Sequence, residues 1–246
     1  MTDYHIKTLD NAVLILDSLA DDRPLGVSEI ARQTKLSKTT VFRLLKALEI
    51  HHFVIQIDQN IYTLGYGMLR YKPIDVHNQA LIKLAKPHMQ TFTQMTGETI
   101  NLAIHHDKQV YFIHTEAGET YLLQFSLAPT AKLYCSSMGK IFLSHMTDAE
   151  IQDYFKKDLK ARTLNTITDY AHFQIDKKAI LTTGIAYDQE EYEYGLTCLA
   201  TGLYQNKQLI AAIGCSGPTS RLKIKGYDFL EKQLKETAQR INELLN

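Results

Sequence analysis

The chain has 246 residues, 45% hydrophobic and 22% charged, which gives room for one or two buried cores and excludes a disordered or fibrous chain. Lysine plus arginine and aspartate plus glutamate each number 27, so no overall field draws the molecule to nucleic acid or to an anionic membrane, and polyanion binding has to come from local patches. Cys135, Cys198 and Cys215 are dispersed and odd in number; with no leader pattern in MTDYHIKTLD and no apolar run near the ~20 residues of a membrane span, a cytoplasmic protein without membrane contact is expected.

Leu9, Val13, Leu16 and Leu19 recur at helical steps, predicting a helix from Ile6 to Leu19 with those residues inward, stopped by Asp21-Asp22-Arg23-Pro24. A short helical pattern follows Ser28 through Ile30 and Ala31. After Thr34-Lys35-Leu36, Ser37 opens a second one, in which Val41, Leu44, Leu45 and Leu48 share a face. Past His51-His52 the period changes, and the β-prone runs 53–57 and 61–64 around Asp58-Gln59-Asn60 predict a hairpin. Helices joined by a tight turn and followed by a hairpin are the order of a winged helix-turn-helix, whose second helix can enter a DNA major groove.

The charge on that helix supports the same use. Arg32, Lys35, Lys38, Arg43 and Lys46 follow one another with no acid between Glu29 and Glu49. A solvated lysine-rich face is the plain alternative. The hydroxyls favour DNA: Ser37 is placed to cap the helix, and Lys38, Thr39 and Thr40 put short donors and a cation where backbone N–H groups also meet phosphate. Arg43, one turn on, suits bidentate reading of a guanine edge, and Arg32 and Lys46 complete the expected DNA-contacting set.

Residues 1–70 therefore form one expected domain, 71–79 a polar linker with Pro73, and 80–246 a second domain. The latter opens on a helix carrying Leu81, Leu84, Ala85, Met89 and Phe92. Strands follow at 99–103 and 110–114 around a turn at His105-His106-Asp107-Lys108, then at 120–126; helices at 139–145 and 148–155; a hairpin of 196–204 with 208–215; and a last helix with Leu230, Leu234, Ala238, Ile241 and Leu245 inward. This mixture predicts an α+β domain.

Enzyme motifs are incomplete. Gly214-Cys215-Ser216-Gly217-Pro218 approaches a nucleophile elbow but has proline where the last glycine makes the turn. Gly139-Lys140 lacks the following hydroxyl, at Ile141, and the preceding loop glycine, at Tyr134. Gly65-Tyr66-Gly67 has Arg70 where a third glycine belongs. Histidine pairs such as His51-His52 and His105-His106 point apart, so no metal or cofactor is expected, a distant pairing such as Cys135 with His145 being the alternative.

Residues 28–32, 36–45 and 62–65 resemble the DNA-binding domain of the IclR family of bacterial transcription regulators. Gly97-Glu98-Thr99, Met138-Gly139-Lys140, Thr166-Ile167-Thr168, residues 188–191 and 195–200, and Ser216-Gly217-Pro218 resemble, in order, its effector-binding domain. The resemblance implies a winged helix-turn-helix joined to a GAF-like α/β effector-binding domain with an antiparallel sheet. It also implies a homodimer or homotetramer on double-stranded operator DNA, without catalysis, that answers to a small organic acid. Residues 133–140 are similar to regulators of sugar-acid catabolism, those answering to ketogluconate or ketogulonate; a hydrolase acting on a small carboxylic acid is the alternative.

For the effector, Ser136, Ser137, Met138 and Gly139 lie where a helix begins, with free N–H groups and the positive end of the helix dipole suited to a carboxylate. The resemblance adds Asp188, Cys198 and Ser216 as polar contacts and Leu123 and Ala131 as apolar wall. Asp188 would accept hydrogen bonds from ligand hydroxyls. The plainer readings are serine caps, an aspartate that closes a turn, and cysteines that fill apolar strands. Met138 and Gly214 depart from the commonest family pattern, a small residue and a serine respectively, which alters the pocket's volume and one hydrogen bond.

Overall fold

The computed structural model describes residues 5–20, 23–71, 78–119 and 130–246, without the Leu69 side chain. They fall into two compact units, 1–74 and 75–246.

In the first unit, α1 (Lys7–Leu19), β1 (Leu25–Gly26), α2 (Val27–Thr34), α3 (Lys38–Ile50), β2 (Val54–Asp58) and β3 (Ile61–Leu64) follow in order. The sheet runs β1-β3-β2, antiparallel throughout. Ile15, Leu19, Leu25, Ile30, Val41, Leu45, Val54 and Tyr62 make its core. The first helix buries a different face from the expected one: Ile15 joins Leu19 inside, while Leu9 and Val13 are 60% and 46% exposed. Four consecutive apolar residues, Val13 to Leu16, cover more than one helical face, so spacing alone does not select the buried one. The second helix begins at Val27 behind Gly26 rather than after Ser28. It ends at Lys35 in the left-handed conformation, φ 57°, which turns the chain into α3.

The second unit holds α4 (Gln79–Thr96), β4 (Thr99–His106), β5 (Gln109–Glu116), β6 (Thr130–Lys132), α5 (Ser137–Ser144), α6 (Asp148–Phe155), α7 (Tyr170–Thr183), β7 (Ala186–Gln189), β8 (Leu196–Gln205), β9 (Gln208–Pro218), α8 (Thr219–Lys225) and α9 (Tyr227–Leu245). Six antiparallel strands run β6-β5-β4-β9-β8-β7. One face packs on α4 and α9 through Met89, Phe92, Ile213, Leu230, Leu234 and Ile241, and the other on α5, α6 and α7 through Phe142, Leu143, Tyr154 and Phe173.

His105 and His106 continue β4, and the turn is Asp107-Lys108, both left-handed. The helix α7 goes beyond the sequence expectation; it buries only Phe173 and Ile180 and is marked by its ends, an Asp169 cap and Gly184. The helix α8 is likewise additional. The expected strand at 120–126 and most of the 71–79 linker lie outside the described residues. No described helix is long and apolar enough to cross a membrane.

Candidate functional site

In the first unit Ser37 caps α3: the Thr40 N–H donates to its Oγ at 3.1 Å, and the two hydroxyls lie 2.8 Å apart. Lys38, Thr39 and Arg43 are exposed, and Arg32 is exposed on α2, 3.7 Å from Glu29. Lys46, another of the expected DNA-contacting residues, has protein partners as well. Its Nζ donates to Glu49 at 2.8 Å and to Gln56 at 3.0 Å and lies 5.7 Å from the Tyr62 ring centre, so it ties α3 to the hairpin.

Two features of this face escape the charge pattern. Phe42, 43% exposed, stands among Lys38, Thr39 and Lys46, and an exposed aromatic ring there can meet a thymine methyl. The hairpin turn, Gln59 and Asn60, shares a concave surface with Lys38, Thr39 and Phe42. Together they form a groove edged by a helix and a wing.

In the second unit α5 is buried along its whole length. Ser136 caps it with both hydrogen-bonding roles of its hydroxyl used, accepting from Gly139 N–H at 3.1 Å and donating to Lys132 O at 2.7 Å. A Cβ on Gly139 would lie 2.4 Å from Leu133 O, so glycine lets the chain before the helix fold back against it. A cavity of about 30 Å³ opens at this helix start, room for about two waters. Ala131, Ser136, Ser137, Met138, Asp188, Cys198 and Ser216 all line it. Gly139 is not in the lining, its place being taken by packing, and Leu123 lies outside the described residues.

Asn101, Phe112, Thr130, Tyr192 and Leu196 line it as well. Of these Asn101 has a visible signal, a polar residue at a buried position between Ile100 and Leu102. Its amide holds Ser216 Oγ at 3.3 Å and accepts from Thr115 at 2.8 Å.

Asp188 is buried and does close a turn, accepting from the N–H groups of Glu191 at 2.8 Å and Tyr192 at 3.1 Å through Oδ1. Burial, reinforced by the neighbouring Glu191 charge, pushes its carboxyl up to about 7. Burial likewise raises the Cys198 thiol, which bonds to Asp188. Behind them Lys140, fully buried on α5, pairs with Glu191 and, at 2.6 Å, with Asp176. Glu191 Oε2 has no hydrogen-bond partner among the described residues.

Ser216 lies inside β9, paired in register with Thr99 and Cys198, not at a strand-to-helix elbow. His145 Nε2 meets Tyr204 OH at 2.9 Å, and buried Cys135 has its thiol pushed up to about 12 by desolvation. The two departures noted in the sequence prove to be complementary: a Cβ on Gly214 would lie 3.1 Å from Met138 Cγ, so the long side chain occupies what a serine would take.

Residues 8–58 match the IclR helix-turn-helix domain and residues 75–243 match the bacterial transcriptional regulator IclR C-terminal domain. The chain belongs to the IclR family. It is 31% identical over 244 residues to the HTH-type transcriptional repressor AllR of Klebsiella pneumoniae, covering 97% of this chain and 90% of that protein. The crystal structure of Thermotoga maritima IclR shares the fold with a TM-score of 0.65 at 27% identity, covering 98% and 99%. An IclR family regulator from Brucella abortus does so with a TM-score of 0.78 at 21% identity, covering 100% and 95%. The chain is thus a DNA-binding transcription regulator.

Proposed function

We propose that this regulator represses transcription from operator DNA as a dimer or tetramer and releases or tightens its hold when a small organic acid fills the cavity at the start of α5. Residues 1–70 bind DNA, 71–79 link, and 80–246 sense the ligand and assemble the oligomer. The observation that carries the reading is the cavity itself: an apolar chamber with few polar groups converging at a helix N-terminus. Repression is supported by the named role of the AllR relatives.

On DNA, Lys38, Thr39, Thr40 and the capped start of α3 hold phosphate, Arg43 reads a base edge, and Arg32 adds charge from α2. In the cavity, Ser137 and the free amides beside it receive the acid, Asp188, Cys198 and Ser216 meet its other polar atoms, and Ala131 and Met138 supply apolar wall. The small volume favours a hydroxy or keto acid of few carbons over a six-carbon sugar acid.

A thermal-shift screen of hydroxy, keto and aromatic acids tests this. A ligand selective for the folded state adds about 2.7 kcal/mol at a hundredfold excess over Kd, and the acid should be recovered unchanged. By linkage, its affinity for the free protein and for the operator complex should differ by about 1–3 kcal/mol. No shift from any acid, or equal affinity with and without operator, would refute the reading.

Met138 gives a second expected result. Met138→Ala should enlarge the chamber and admit longer acids, gaining at least tenfold affinity for 2-ketogluconate relative to pyruvate by calorimetry. Gly214→Ser alone should weaken binding of both, since its side chain meets the Met138 thioether.

A further inference from the structure

The described lining of the effector cavity contains no Lys, Arg or His. Its one acidic side chain is Asp188, on β7. Facing that carboxyl are Glu191 from the turn after β7, Lys140 from α5, Cys198 from β8 and Cys135 from the segment before α5. Lys140 is committed to Glu191 and Asp176. The guanidinium of Arg162 lies over the Tyr192 ring, 3.9 Å from its centre, with Nε donating to Tyr192 O. Neither is a cavity-lining group for a second anion.

An ionised ligand that fills this chamber therefore meets a buried carboxyl with no positive side chain of the described lining between them, and displaces the little water the space could hold. We propose that an acidic effector enters only together with one proton from solvent, held on Asp188, whose carboxyl then donates a hydrogen bond to the ligand. This rests on the effector-cavity reading above. Oδ1 is held by two backbone donors, so Oδ2 is the oxygen that takes the proton. The ligand arrives as a monoanion, the aspartate loses its charge, and the net charge of the chamber is the same before and after binding. Desolvation and the Glu191 charge, which push Asp188 up to about 7, keep the proton available near neutral pH.

Pyruvate and its neutral amide, pyruvamide, are the probes, with calorimetric Kd values taken from pH 6 to 9. If only the protonated site accepts the acid, apparent Kd follows the inverse of the protonated fraction: nearly level below pH 7, then rising tenfold per pH unit, about 100-fold weaker at pH 9 than at pH 6. Pyruvamide should not weaken over this range. At pH 8, buffers of different ionisation enthalpy should report uptake of nearly one proton per pyruvate.

Asp188→Asn, which keeps a carbonyl for the two backbone donors and adds a fixed donor, should make the pyruvate Kd independent of pH. A readout without ligand follows from the same group. A raised carboxyl pKa stabilises the fold below the unfolded-chain value of about 4, and that contribution is lost as pH rises to about 7. Wild type should therefore lose melting temperature relative to Asp188→Asn across that window. Pyruvate binding with a level profile and no proton uptake would overturn the inference and leave the cavity reading standing; failure of pyruvate and of every other screened acid to bind would overturn the two together.

Discussion

Lys140→Ala should destabilise the C-terminal unit by about 3–5 kcal/mol, lowering its Tm by roughly 10 °C in calorimetric scans. The ammonium is fully buried and is the common partner of Glu191 and Asp176, so truncation leaves the Glu191 carboxylate buried beside Asp188 without compensation. The size of the effect comes from that stranded charge more than from the net strength of the pair, whose own desolvation offsets much of the attraction. Removing both members should then be milder: Lys140→Met with Glu191→Leu is expected to recover most of the loss, while Asp176, one-third exposed, turns to water. Equal losses for the single and double variants would show that the ion pair itself, and not an orphaned carboxylate, dominates.

Arg43→Ala should weaken operator binding by about 1–3 kcal/mol, roughly 5- to 150-fold, and relax preference at one position of each half-site selected from a random pool. Its guanidinium is exposed one turn beyond the start of α3. Lys38→Ala should weaken all sequences alike and lower the salt slope by about 1 per protomer, as expected of a phosphate contact. Lys46→Ala should leave the salt slope nearly unchanged, because its ammonium serves Glu49 and Gln56. An Arg43 variant that loses affinity uniformly, with the base preference intact, would remove that residue from base reading.

The DNA-binding unit was legible because its signals are local. The serine cap, the helical spacing of Val41, Leu45 and Leu48, and the turn at Asn60 each act within a few residues. Where local spacing was ambiguous, as in the apolar run from Val13 to Leu16, tertiary packing chose the face. In the second unit, caps and alternation outlined α4, α6, β8, β9 and α9. The helix α7 was hidden because so little of it is buried, and hydrophobic periodicity reports burial rather than helicity.

The cavity followed the same division. The helix start at Ser136 could be read from its residues, but Asn101, Tyr192 and Leu196 reach it from segments far apart in sequence. The ion pairs of Lys140 span 36 and 51 positions, and no short motif reports such a partner. Lys46 is similar: its bond to Gln56 comes from the hairpin, ten positions on, and a run of basic residues does not report it.

The contact between Met138 and Gly214 also constrains the order in which this pocket could be rebuilt. A serine introduced first at 214 sets its Cβ 3.1 Å from both Met138 Cγ and the Leu199 carbonyl oxygen, so the methionine has to yield by a few tenths of an ångström; introduced after Met138 has been shortened, the same serine has only the carbonyl to accommodate. Its cost thus depends on what stands at 138. Single-substitution scans of the intact protein would score position 214 only against the methionine that faces it and undervalue a route to a differently shaped, more polar chamber that is easier once another step has been taken.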